Sequence, residues 1–159
     1  MMKTTTTLAL VLFASLAHAA APTGAPAGWE RKLIAAVIIG EGGGEGTAGM
    51  GAIYEVIWQR GVQRKRSLAK VVTRRKQFSC LNRTTPAAQI ARAMKHPSFE
   101  WVHDELLKFP PLTVSTVRDG LPKVTTNRAD HYHTTRVRPS WARGKRGKRI
   151  GKHLFYKLN

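Results

Sequence analysis

Leu33-Ile34-Ala35-Ala36-Val37-Ile38-Ile39 runs without a break into Gly40-Glu41-Gly42-Gly43-Gly44-Glu45-Gly46, and this junction decides the fold. An apolar run without alternation is either a strand buried on both faces or a helix enclosed on all sides. Residues 29–39 are long for a strand, and the glycines that follow are typical helix stops, so a buried helix is expected. Beyond the glycines, Gly49, Ala52, Ile53, Val56 and Ile57 fall on one face at helical spacing. That pattern predicts a second helix from Glu45 or Gly46 to Arg60, ended by Gly61. Small Gly49 and Ala52 allow the two helices to approach closely, as a helical hairpin with the glycine loop at its tip.

Further along, Ser67 is a good cap for a short basic helix through Val71 and Val72, and Gln77-Phe78-Ser79-Cys80 reads as a loop. Thr85 before Pro86 is an N-cap and first-turn pair, which predicts a helix over residues 87–94. Phe99, Val102, Leu106 and Phe109 predict another over residues 98–109, halted by Pro110-Pro111. The character then changes. Residues 112–117 read as extended, Asp119-Gly120 as a turn, and residues 130–137 and 152–158 as strands with alternating side chains. The expected class is α+β: one mainly helical domain with a small antiparallel sheet from the C-terminal third.

On the N-terminal side, Met1-Met2-Lys3, a short apolar stretch and Ala17-His18-Ala19 have the order of a signal peptide over residues 1–19. The apolar stretch is too short to span a bilayer. A Pro/Ala/Gly linker over residues 20–28 separates it from a single domain over residues 29–159. Export is therefore expected, to the periplasm, cell wall or medium, with no stable membrane insertion once the leader is removed. Cys80 is the lone cysteine, so no intramolecular disulfide can form, and its position beside Phe78 reads as packing.

The chain carries 27 Lys and Arg against 9 Asp and Glu, a formal net charge of +18. Such a surface seeks polyanions. Export argues against nucleic acid and for anionic envelope polymers: teichoic acids, lipopolysaccharide or the peptide carboxylates of peptidoglycan. The basic residues concentrate over residues 136–152.

With acids so scarce, Glu41 at the end of a buried helix calls for a reason. Apolar surroundings and the negative end of the helix dipole both penalise its charge, so it is expected to hold a proton unusually well. Glu45 sits where the positive end of the next helix favours ionisation; it reads as a helix cap and is also the nearest carboxylate to Glu41 in sequence. Carboxylates in environments that push their proton affinities apart are the signature of general acid chemistry. A second constellation is Asp130-His131-Tyr132-His133, in which strand alternation places His131 and His133 on one face and Tyr132 on the other. With His153 on a neighbouring strand, His131 and His133 could form a three-histidine zinc site. Alternatively these residues line a carbohydrate groove with Trp141 and Tyr156, while Tyr132 and Phe155 can equally serve as sheet core.

Taken in order, Glu41-Gly42-Gly43-Gly44-Glu45, residues 52–60, Gln77-Phe78-Ser79-Cys80, His131-Tyr132, Trp141 and Ile150-Gly151-Lys152-His153-Leu154-Phe155-Tyr156 resemble the SleB/CwlJ family of cell wall hydrolases. The resemblance covers about residues 30–157. It implies a lysozyme-like or lytic-transglycosylase-like catalytic domain whose catalytic acid is the first glutamate of an E-A-R-G-E-type segment, here Glu41. Two departures stand out: Gly42-Gly43-Gly44 replaces Ala-Arg-Gly, and Gln59 replaces the asparagine before the arginine.

The expectation is an exported, monomeric enzyme without a cofactor that acts on peptidoglycan as a lytic transglycosylase through Glu41. Its substrate-contacting residues would be Glu45, Gln77, Ser79, His131, Tyr132, Trp141 and Tyr156. The alternatives are a zinc amidase or peptidase built on His131, His133 and His153, and a non-catalytic wall-binding module.

Overall fold

A computed structural model of the chain describes residues 28–105 and 126–159. The predicted leader, all of the linker but Gly28, the extended and turn residues 112–120, and the end of the helix predicted over 98–109 lie outside the described residues.

Helix α1 spans Trp29–Gly42. Its middle is fully enclosed, with Leu33 to Ile38 at 0% exposure, as a run apolar on every face demands. It packs against α2 (Gly46–Arg64), α3 (Leu68–Val72) and α4 (Pro86–Ala93). The glycines do not stop α1 where expected, because Gly40 and Gly42 are helical and serve close approach. A Cβ at Gly42 would lie 2.9 Å from the carbonyl of Gly49 on α2, and one at Gly40 would lie 2.7 Å from Cβ of Cys80. A turn of 3₁₀ helix, Gly43–Glu45, then reverses the chain into α2, which completes the expected hairpin.

Helix α2 passes through Gly61, where its end was expected, and stops at Lys65, which is left-handed at φ 49°. The amides of Lys65 and Arg66 close back onto the last turn, Arg66 donating to the Gly61 carbonyl at 3.0 Å. Ser67 caps α3 by accepting from the Lys70 amide, and Thr85 caps α4 by accepting from the Ala88 amide. Gln89, 2% exposed, donates to the Ala36 carbonyl at 3.0 Å and pins α4 to α1. Where a regular helix was expected after Ser98, residues 99–100 lead into a π-helical turn, Trp101–Glu105.

Among the described residues the sheet has three antiparallel strands in the order β1-β3-β2, with β1 at His131–Thr134, β2 at Lys148–Ile150 and β3 at His153–Tyr156. Tyr132 pairs with Phe155 and His131 with Tyr156. Period-two alternation gives the sheet two unlike faces. Phe155, 1% exposed, joins the helical core on one face. His131, His133, Leu154 and Tyr156 share the other. Strand β2 lies within the basic stretch and had no apolar alternation to announce it; it pairs along β3 with its Lys148 and Arg149 exposed. The result is an α+β fold, mainly helical.

Two buried acids tie the C-terminal segment to α2. Asp130, 0% exposed, precedes β1 and accepts from Gln63 Nε2, from His131 Nδ1, from the amides of Leu158 and Asn159 and from Asn159 Nδ2, all at 2.9–3.0 Å. Burial alone would raise its pKa, but these hydrogen bonds outweigh burial and hold the carboxyl well below the usual range. Glu55 on α2, 3% exposed, accepts from the Thr126 amide at 2.8 Å, and burial raises its pKa.

Candidate active site

Glu41 lies in the last turn of α1, half-buried, and three donors converge on its carboxyl. Oε1 accepts from Ser79 Oγ at 2.9 Å and from the Cys80 amide at 2.7 Å; Oε2 accepts from the Tyr132 hydroxyl at 2.9 Å. The donors come from the 3₁₀ turn Ser79–Leu81 and from β1. Phe78, 1% exposed, anchors that turn in the core.

Beneath the site, Arg60 of α2 is 6% exposed and sits between two rings, its guanidinium carbon 5.5 Å from the centroid of Phe78 and 5.9 Å from that of Tyr132. Its Nε donates to the Asp130 carbonyl at 2.7 Å, while Nη1 has no partner among the described residues. Burial lowers the pKa of this guanidinium, against the opposing influence of Tyr132, Asp130 and Glu41. Arg60 thereby couples both donor elements to α2. It was not singled out from the sequence, yet it continues the face of Ile53, Val56 and Ile57 at helical spacing, and a charge on an apolar stripe is a signal. The Cys80 amide was not foreseeable at all, since every residue but proline carries one.

The surroundings keep the groups around Glu41 protonated. Burial, then the charge of Glu41 and the hydrogen bond to it, raise the Tyr132 phenol far above its ordinary range, so it remains a neutral donor. Burial followed by the Glu41 charge likewise raises the Cys80 thiol, which leaves no thiolate for nucleophilic chemistry. A backbone amide can only donate, whereas a hydroxyl can donate or accept. Oε1, bound by the Cys80 amide, is thus a fixed acceptor, whereas Oε2 faces the Tyr132 hydroxyl, a group able to donate or to accept.

The other residues singled out from the sequence fall elsewhere. Glu45 precedes α2 but makes no side-chain cap; its Oε2 accepts from the Lys152 amide at 2.9 Å, which braces the glycine loop against the β2–β3 turn. Gln77 accepts from Arg64 Nη1 at 3.3 Å. His131, His133, Trp141 and Tyr156 cluster on the sheet face turned away from the helical core. Trp141 is 5.3 Å from His131 and 5.4 Å from Tyr156, ring centre to ring centre, and His133 Nε2 is 3.0 Å from the Tyr156 hydroxyl. His153 is on the core face, 7% exposed and edge-on to Tyr132 at 5.6 Å, and burial lowers its pKa. The three histidines considered for zinc are therefore divided between two faces of the sheet. Among the described residues, the metal-ligating side chains within reach of one another are Glu100, His103 and Asp104, at the π-helical turn.

Residues 44–156 match the family model described as Cell Wall Hydrolase. No curated protein and no solved structure gives a significant match. The matched span holds Ser79, Cys80 and Tyr132 and begins just after Glu41, so the place of Glu41 in the site rests on its geometry.

Proposed function

The chain belongs to the cell wall hydrolase family, and from that premise we propose an exported lytic transglycosylase that cleaves peptidoglycan between N-acetylmuramic acid and N-acetylglucosamine. Glu41 is its acid and base. The proton on Oε2 passes to the glycosidic oxygen as the bond from the muramic C1 breaks. The resulting carboxylate takes the proton from the muramic C6 hydroxyl, whose oxygen closes onto C1. The products are a free N-acetylglucosamine hydroxyl and a 1,6-anhydro end, and no water is consumed.

The observation that carries this reading is the convergence of Ser79, the Cys80 amide and Tyr132 on one carboxyl. A carboxyl bound in this way is oriented, and it is re-protonated at a single oxygen. Hydrolysis with inversion or retention needs a second carboxyl about 5–9 Å away. Glu45, the adjacent acid in sequence, instead holds the Lys152 amide. Export is supported by the leader-like N-terminus and by the extracytoplasmic substrate; among the described residues no helix is long and apolar enough to cross a membrane.

Mass spectrometry of the fragments released from purified sacculi tests the scheme. Anhydro-muropeptides are expected from the wild-type chain and nearly none from Glu41→Gln. Reducing ends in place of anhydro ends would replace this mechanism with hydrolysis.

A further inference from the structure

On the side of the sheet turned away from Glu41, the chain between β1 and β2 folds back over the strands and encloses a cleft of about 550 Å³. The cleft is built from structured parts. The amides of Val137, Ala142 and Lys145 donate to the carbonyls of Thr134, Pro139 and Ala142 at 3.0–3.1 Å, and Trp141 stands edge-on to His133 and Tyr156. Its lining is of three kinds, the first being the polar side chains of His133, Thr135 and Tyr156. Val137, Pro139, Ala142 and Leu154 present an apolar surface, on which Val137 is 53% exposed, while Arg138 and Arg143 bring two cations. Among the described residues no acidic side chain lines it.

We propose that this cleft binds the free carboxylate end of a short peptide with small apolar side chains. Guanidinium groups match a carboxylate with paired N–H donors. An apolar floor beside them is matched by methyl groups and left wet by a polyol phosphate, which favours the peptide over a phosphate-bearing polymer. The proposal rests on the peptidoglycan reading above, since stem peptides of that kind hang from the glycan that Glu41 would cut. Binding there anchors the enzyme to one peptide while the acid on the opposite face addresses a glycan strand. Peptide-bearing wall then acquires a lower KM than bare glycan, with kcat unchanged.

The test titrates acetyl-D-Ala-D-Ala, its C-terminal amide and a glycerol phosphate oligomer into the whole protein, following tryptophan fluorescence and amide chemical shifts. The free acid is expected to bind about tenfold more tightly than the amide, the factor produced by about 1.4 kcal/mol. The double variant Arg138→Ser, Arg143→Ser, and separately Val137→Asp, should lose a similar factor with an unchanged unfolding temperature. Equal binding of acid and amide, or unaltered affinity in both variants, overturns the proposal; preference for the glycerol phosphate oligomer overturns the peptide as ligand. Cleavage of peptide-free glycan by the same preparations reports on Glu41 alone, so loss of one reading is visible without loss of the other.

Discussion

The Tyr132 hydroxyl donates to Glu41 Oε2 at 2.9 Å across 91 positions of the chain, and this contact joins the sheet to the buried helix at the point where a proton would be held. A hydrogen bond to a charged group contributes about 1.5–3 kcal/mol. Tyr132→Phe removes it and keeps the ring, which stacks 5.7 Å from Phe155. Turnover on sacculi should fall roughly ten- to hundredfold, by conversion of those energies, with little change in KM. Wild-type turnover in this variant would show that Oε2 is not the proton-carrying oxygen.

Glu41→Gln should lower lysis by about 10²–10⁴-fold, the usual worth of a general acid, while the thermal unfolding curve stays close to wild type. Glu45→Gln keeps an oxygen for the Lys152 amide and should cost much less. Turbidity assays on both variants decide the ranking, and a fully active Glu41→Gln protein would remove Glu41 from the chemistry.

Asp130 makes stability depend on acid. Its carboxyl is held below the ordinary range in the folded chain, so folding favours its ionised form. That contribution is complete above the unfolded-state value of about 3.9 and disappears as pH falls through it toward the folded value. Asp130→Asn should lose about 1–3 kcal/mol at neutral pH and show a flatter decline in acid. Denaturant titrations at neutral pH and in acid measure both; parallel pH profiles for the two proteins would contradict the linkage.

The basic stretch around β2 should govern attachment rather than catalysis. Lys145, Arg146 and Lys148 are exposed, and attraction between exposed charges is screened over about 8 Å at physiological salt. Added NaCl should release the enzyme from sacculi steeply, and Lys145→Ser with Arg146→Ser and Lys148→Ser should blunt that dependence. Pelleting assays measure it. Turnover on soluble glycan should change much less.

How far the sequence foretold this arrangement depended on the range of the interactions. Periodicity is local, so α1, α2, the caps Ser67 and Thr85 and the strands β1 and β3 could be read directly, and an acid among so many bases drew attention to Glu41. What escaped was set at long range. The glycines after Ile39 look like a stop, and only the presence of Gly49 and Cys80 against them explains why α1 continues. The bracing of Glu45 by the Lys152 amide spans 107 positions, while β2, joined to β3 by a tight turn, was masked by its own basic residues rather than by distance. The role of Asp130 was hidden by distance, since its partners Gln63, Leu158 and Asn159 lie on α2 or near the C-terminus.

The Gly42–Gly49 contact also reverses the usual expectation about a glycine-rich segment. Where the two backbones meet there is no side chain to yield, so the spacing of α1 and α2 has almost no mechanical slack. Glu41 projects from one member of that pair, and Arg60, which supports Tyr132, from the other. The interlock therefore works as a gauge: a single methyl at position 42 would wedge the helices apart and displace the acid from its donors. In such a variant, loss of lytic activity should outrun loss of stability.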